Sequence, residues 1–295
     1  MLIIPKETKT GLLHSYLLGA IAPRPICFAS TMDENGNPNL SPFSFFNVFG
    51  SNPTTLIFSP ARKVRDNTIK HTLQNAYATK EVVINVVTYA MVQQMSLSSC
   101  EYEKGVDEFE KAGFCKLASE KVKPFRVKES PVQMECIVRE IIETGTEGGA
   151  GNLIICEVVA MHINDEILDA ETQQINPHKI DLVARMGGDY YCRASGNAVF
   201  TVAKPNTKLG IGVDALPADI RNSTVLTGNN LGQLANVDEM PFVDPAFNDD
   251  KLKNIIQYYS VTPAEMEKEL HRYAKELLDD GKVTEAWQIL LSMSI

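Results

Sequence analysis

Six short β-rich runs, separated by turns rich in Gly, Pro and Asn, dominate residues 26–163. They are residues 26–31, 39–46, 54–59, 82–87, 132–142 and 153–163. Asn35-Gly36 between the first two is a strong hairpin signal, since both residues tolerate positive φ. Ser51-Asn52-Pro53 and residues 145–151, with four glycines, mark further turns. A strict strand–helix alternation, which a doubly wound parallel sheet needs, is missing. The pattern predicts a small closed antiparallel barrel with a few helices packed outside it. One such helix is expected from Arg65 to Lys80, where Ile69, Leu73 and Tyr77 recur on one face. Asp66 or Asn67 would be its N-cap. A second is expected over residues 88–98.

The chain changes character toward its end. From about Asp249 it reads as amphipathic helix. Thr262-Pro263-Ala264-Glu265 resembles a capping box with Pro at the first helical position, and Gly281 is the expected stop. The expected organisation is a barrel domain over 1–203 and an extension over 204–295, packing on the barrel or on a partner subunit.

Composition narrows the function. The chain has 295 residues with 28 Lys+Arg against 37 Asp+Glu, a net charge of −9. An acidic chain is a poor general nucleic-acid binder, because phosphate contacts need a basic face. No run approaches the length of a membrane helix, and the first residues lack a secretory pattern. Six cysteines without a C-x-x-C pair read as reduced thiols, which points to a cytoplasmic location. The five histidines offer no H-E-x-x-H pair, and no metal site is expected. G-x-G-x-x-G, the P-loop pattern and G-x-S-x-G are all absent.

Two features carry possible chemistry. Arg62, Lys63, Arg65, Lys70 and His71 crowd ten residues of an otherwise acidic chain and bracket the expected helix start at Asp66-Asn67-Thr68. A helix N-terminus with nearby guanidinium groups suits a phosphate. The alternative is a solvated basic face with an ordinary cap. Residues 39–47 place three aromatics among small polar residues, which suits a flat heteroaromatic ligand or simply an aromatic core strand.

The ordered set of these segments resembles the flavin reductase-like, FMN-binding split-barrel family, which includes the flavoredoxins. It comprises Pro23-Arg24-Pro25-Ile26, Ser30-Thr31, Asp33-Glu34-Asn35-Gly36, Asn39 and Ser41 to Asn47. Ser51-Asn52-Pro53, Arg65-Asp66-Asn67-Thr68, Gly105-Val106-Asp107-Glu108-Phe109, residues 152–159 and residues 185–191 complete it. The resemblance covers roughly residues 10 to 200. It implies a six-stranded antiparallel split barrel, a homodimer, and FMN near the dimer interface. By position, Ser44, Phe45, Phe46 and Asn47 would lie along the isoalloxazine ring. Ser59, Pro60, Ala61 and Arg62 would line the ribityl and phosphate path. Arg65, Asp66, Asn67 and Thr68 would sit at the phosphate end, with Asn152 and Tyr190 completing the pocket.

The implied activity is an FMN-binding oxidoreductase, an NAD(P)H-dependent flavin reductase with hydride transfer at the flavin. No catalytic acid or base is assigned, since the cofactor carries the chemistry. Two alternatives stand beside it. One is a flavoredoxin-type electron carrier that holds FMN tightly and meets a protein partner. The other is a non-catalytic binding module, because fold does not fix function.

Overall fold

The computed structural model describes residues 1–203 and 209–292. The chain forms two compact units, Met1–Phe200 and Thr201–Ile295.

The first unit opens with helix α1 (Thr10–Ala20). The strands follow as β1 (Arg24–Pro25), β2 (Cys27–Met32), β3 (Pro38–Phe43), β4 (Phe46–Ser51) and β5 (Thr54–Phe58). Helix α2 (His71–Thr79) leads to β6 (Glu81–Val86), α3 (Val92–Leu97) and α4 (Glu108–Ala112). Next come β7 (Lys116–Leu117), β8 (Arg126–Val127), β9 (Val132–Glu143), β10 (Asn152–Ile163), β11 (Val183–Arg185) and β12 (Tyr191–Arg193). Seven strands form one antiparallel sheet in the order β3-β2-β6-β9-β10-β5-β4. Its two edge strands, β3 and β4, are consecutive in the chain and separated only by Ser44-Phe45. Two residues of chain cannot span the width of a flat seven-stranded sheet, so the sheet must curl until its edges approach. The result is a barrel split at Ser44-Phe45.

The sheet therefore carries seven strands where six were expected. The run over residues 39–46 holds residues 39–43 of β3 and only the first residue of β4, because the chain leaves one sheet edge after Phe43 and joins the other at Phe46. The Asn35-Gly36 turn forms as read: Gly36 sits at φ 87° and Asp33 accepts from the amides of Asn35 and Asn37.

Alternation packs the interior. Cys27 and Ala29 of β2, Phe43, Phe58, Ile84, Met134, Cys136, Ile154 and Cys156 share one buried cluster. The opposite face of β2 is also covered: Phe28 joins Leu40, Met95, Phe109 and Phe114 under α3 and α4. That explains the unbroken buried run of β2. Cys27, Cys136 and Cys156 lie in the interior, and burial pushes their thiols up, Cys156 to about 12.

Helix α2 starts later than its periodicity suggested. Asn67 lies at φ 58°, in the left-handed region, which the first turn of a helix cannot accommodate. Asp66 instead closes a local turn by accepting from the Thr68 amide (3.0 Å) and hydroxyl (2.6 Å). Lys70 occupies the N-cap position without a side-chain cap bond. Of the expected face, Leu73 is buried, whereas Tyr77 is exposed and donates to Glu143 at 2.8 Å.

In the second unit helices begin well before residue 249, with α5 (Ala218–Arg221) and α6 (Gly228–Ala235). They precede α7 (Asp250–Tyr258), α8 (Pro263–Asp279) and α9 (Val283–Leu291). Leu234, Leu270, Leu278, Trp287 and Ile289 form its core. The expected capping box at Thr262 does not form, because that hydroxyl turns back to the Tyr259 carbonyl. A reciprocal box appears instead at Thr227 and Asn230. Gly281, at φ 76°, ends α8 as read. Its amide bonds the Leu278 carbonyl and that of Lys282 the Leu277 carbonyl, the two bonds of a Schellman stop.

His271 on α8 is buried. Ser223 Oγ accepts from the Val225 and Leu226 amides, so its own hydrogen points to His271 Nδ1 at 2.8 Å. That assigns the ring proton to Nε2, which has no partner. Burial lowers the His271 pKa below its ordinary 6.5, outweighing Glu267 and Asp219. The folded state thus binds fewer protons than the unfolded chain. Stability is full above pH 6.5 and falls as pH drops below it toward the depressed folded value. Denaturant unfolding of the full chain at pH 7.5 and 5.5 is expected to show this loss, and His271→Gln is expected to reduce it. An equal loss in the variant would contradict the assignment.

Candidate functional site

A cleft of about 600 Å³ opens beside the edge strand β3. Its walls are residues 62–71 on one side and 100–108 on the other. The first wall is set by the glycine-rich loop between β9 and β10. The Arg62 amide donates to the Ala150 carbonyl (2.8 Å), the Gly149 amide to the Arg62 carbonyl (3.0 Å), and Asn67 Nδ2 to the Thr146 carbonyl (3.0 Å). A Cβ at Gly148 would lie 2.9 Å from the Lys63 carbonyl, so only glycine permits this approach.

Cations outnumber their partners on this wall. Arg62 reaches Glu143 through one terminal nitrogen at 3.4 Å, while its Nε is buried with no partner. Lys63 pairs with Glu101 at 2.9 Å. Lys70 has no ion pair among the described residues and sits 5.8 Å from the Phe43 ring centroid. Burial lowers its pKa, and Lys63 adds to the effect. Glu108 is buried at the back of the cleft, where burial raises its pKa. Its oxygens are occupied by Asn39 Nδ2 (2.9 Å) and the Leu40 amide (3.0 Å), which blunts the open edge of β3.

The expected site residues fall into three groups. Arg62, Asn67 and Thr68 line the cleft. Arg65 and Asp66 do not: Arg65 is 73% exposed and bonded to Asp66 and Glu101. The hydroxyl and amide of Thr68 hold the Asp66 carboxyl down to about 2. Ser59 and Pro60 are buried behind the wall and Ala61 is half-buried. Asn152 holds that turn, donating its amide to Ser59 Oγ (3.1 Å) and its Nδ2 to the Pro60 carbonyl (2.7 Å).

Residues 44–47 form the second group, at the split. Ser44 Oγ accepts from Arg24 Nε (3.3 Å), Phe45 and Asn47 are exposed, and Phe46 packs on the barrel core. The Ser59 amide donates to the Phe45 carbonyl at 2.8 Å, which ties this group to the first. Tyr190 stands apart. It is 78% exposed on the turn joining β11 and β12, outside the lining of the cleft. The Met186 carbonyl on that turn does accept from Arg24, so one buried guanidinium anchors both the turn and the split.

Lys63, Lys70, Asn39 and Glu108 were not anticipated as lining residues. The two lysines were visible in the basic cluster, but nothing local distinguished them from Arg65. The role of the glycines at 145–151 is likewise tertiary.

A curled antiparallel sheet, open between consecutive edge strands and flanked by a cation-lined cleft, defines a split barrel. The fold is shared with a candidate flavin reductase with a split barrel domain from Shewanella frigidimarina (24% identity, TM-score 0.57, 67% of this chain and 96% of that one). Component B of nitrilotriacetate monooxygenase from Bacillus cereus is similar at 26% identity and TM-score 0.63, over 68% of this chain and 98% of its own. An uncharacterised protein of Aquifex aeolicus is 36% identical over 202 residues, covering 68% of this chain and 100% of that protein. The chain belongs to the flavin reductase like domain family, whose pattern matches residues 19–178. It is a flavin-linked protein of oxidoreductase type.

Proposed function

We propose that the chain binds FMN and works as an NAD(P)H-dependent flavin reductase. The observation that carries this reading is the buried Nε of Arg62, unpartnered among the described residues, in one cleft with Lys70, which has no ion pair among them. Buried donors without acceptors are costly, and a phosphate dianion satisfies both. The residues present therefore fit the group. Arg62, Lys63 and Lys70 hold the phosphate, and Asn67 Nδ2, bonded to Thr146, keeps the wall closed on it. Asn152 fixes the Ser59–Pro60 turn along the ribityl path, and residues 44–47 take the ring at the split. When bound, FMN supplies a ring that accepts hydride.

The partner reading is a homodimer. Strand β4 is a sheet edge that exposes Val48 and Phe49, at 61% and 64%, and an unpaired apolar edge of this kind favours pairing with a second copy.

The test is the visible spectrum of the freshly purified full chain, with the released chromophore identified by mass, followed by addition of NADH or NADPH. A flavin spectrum from FMN that the nicotinamide bleaches is the expected result. FMN retained but bleached only by a reduced protein partner would favour the electron-carrier reading. A colourless chain that takes up no added FMN would overturn both.

A further inference from the structure

The small sheet β1-β11-β12 carries a second cleft, of about 450 Å³, against the segment that includes α3. It shares no lining residue with the cleft at Arg62. Arg185 and Tyr191 are cross-strand partners, as are Val183 and Arg193, so all four project from one face. The Arg185 guanidinium stacks 4.5 Å over the Tyr191 ring, and that of Arg193 lies 4.0 Å over the Tyr89 ring. The two arginines differ in what they have left to give. Arg193 is spent, with a two-point pair to Asp181 at 2.7 and 2.9 Å. Arg185 donates one terminal nitrogen to the Gly188 carbonyl at 2.6 Å. Its nearest carboxylate, Asp189, is 3.8 Å away with a fully exposed side chain. The remaining donors of Arg185 have no partner among the described residues.

We infer that this cleft binds a small organic anion, a carboxylate or phosphate carried next to a planar ring. Arg185 supplies the charge and a fork that fits two anionic oxygens. Its stacking on Tyr191 pre-orders the guanidinium, so little rotamer freedom is lost on binding. The tyrosine rings with Val92 and Val183 supply apolar surface for the ring, and Ser96 and Gln93 on α3 present polar groups across the opening. A volume of about 450 Å³ lies within the ordinary range for small-molecule sites. Within a chain of net charge −9, an unspent arginine in a concave, part-aromatic cleft is selective for such a ligand over the general anion pool.

The experiment titrates the full chain as purified with two probes by calorimetry. Benzoate represents a free aromatic carboxylate and adenosine 5′-monophosphate a nucleotide phosphate. At least one is expected to bind with Kd below about 1 mM. Arg185→Gln is expected to weaken it about tenfold or more, and Ser96→Glu to do the same by placing a carboxylate at the rim. Ser96 is exposed, so its replacement leaves packing untouched if Arg185→Gln fails to fold. Whichever probe binds identifies the source of the anion. Binding of neither probe below about 10 mM overturns the site, as does equal affinity in the wild type and Ser96→Glu.

Discussion

Replacing Arg62 by alanine is expected to weaken FMN binding by one to two orders of magnitude and to leave the fold intact. The buried Nε is a donor in waiting, and a charge-assisted hydrogen bond to a phosphate contributes roughly 1.5–3 kcal/mol, or about 10- to 150-fold in Kd. The fold loses little. The wall is held by the Arg62 backbone through Gly149 and Ala150, and Glu143 keeps its bond from Tyr77. Two further variants give the reading a sign. Arg65→Ala is expected to be much milder, because Arg65 is mostly exposed and already neutralised by Asp66 and Glu101. Glu101→Gln is expected to tighten binding, because Glu101 occupies Lys63 at 2.9 Å and competes with phosphate for it. Fluorescence titration of the flavin-free protein with FMN orders the three. An Arg62→Ala protein with the wild-type Kd would remove Arg62 from the site, and a weaker Glu101→Gln would remove Lys63.

The strands were legible because their signal is local: alternation within a run and turn residues between runs. Each of the six expected runs is strand in the structure, and the miss lies at Ser44-Phe45, where nothing in the local pattern marks a change of sheet edge. The helix start was misplaced for a related reason. Asp66, Asn67 and Thr68 are good caps by type, but Asn67 is pulled into the left-handed region while its side chain reaches across to Thr146, 79 positions away. Composition located the basic cluster but could not rank its members. Arg65 has the adjacent Asp66 and, through tertiary structure, Glu101 set against it, whereas Arg62 meets only Glu143, 81 positions away. The same limit hid Glu108, which begins α4 in the structure yet serves the edge of β3.

Glu135→Ala is expected to lower the stability of the first unit by about 3 kcal/mol, a fall of roughly 6–12 °C in its melting temperature. Glu135 lies in the middle of the sheet on β9 with no exposed side-chain surface. One oxygen accepts from the Glu120 amide (2.9 Å) and faces His162 Nε2 (2.7 Å), and the other accepts from the Lys121 (2.5 Å) and Val122 (3.3 Å) amides. These bonds fasten residues 120–122, between β7 and β8, to a sheet that they otherwise meet through the Lys123 amide and Glu81. Truncation leaves several donors without an acceptor, and each such orphan costs about 1–3 kcal/mol when buried. Burial alone would push this carboxyl up, but the amides of Glu120 and Lys121 with His162 outweigh it and hold the carboxyl below its ordinary 4.5. Its contribution is therefore present above pH 4.5 and lost as pH falls through the lower folded value. Glu135→Gln keeps one accepting oxygen and is expected to fall between wild type and alanine at neutral pH. Calorimetric melting of the three proteins at pH 7, with an acid titration of each, reads both effects. An alanine variant that melts within about 2 °C of wild type would show that solvent satisfies these amides and that the buried carboxylate does not hold the loop.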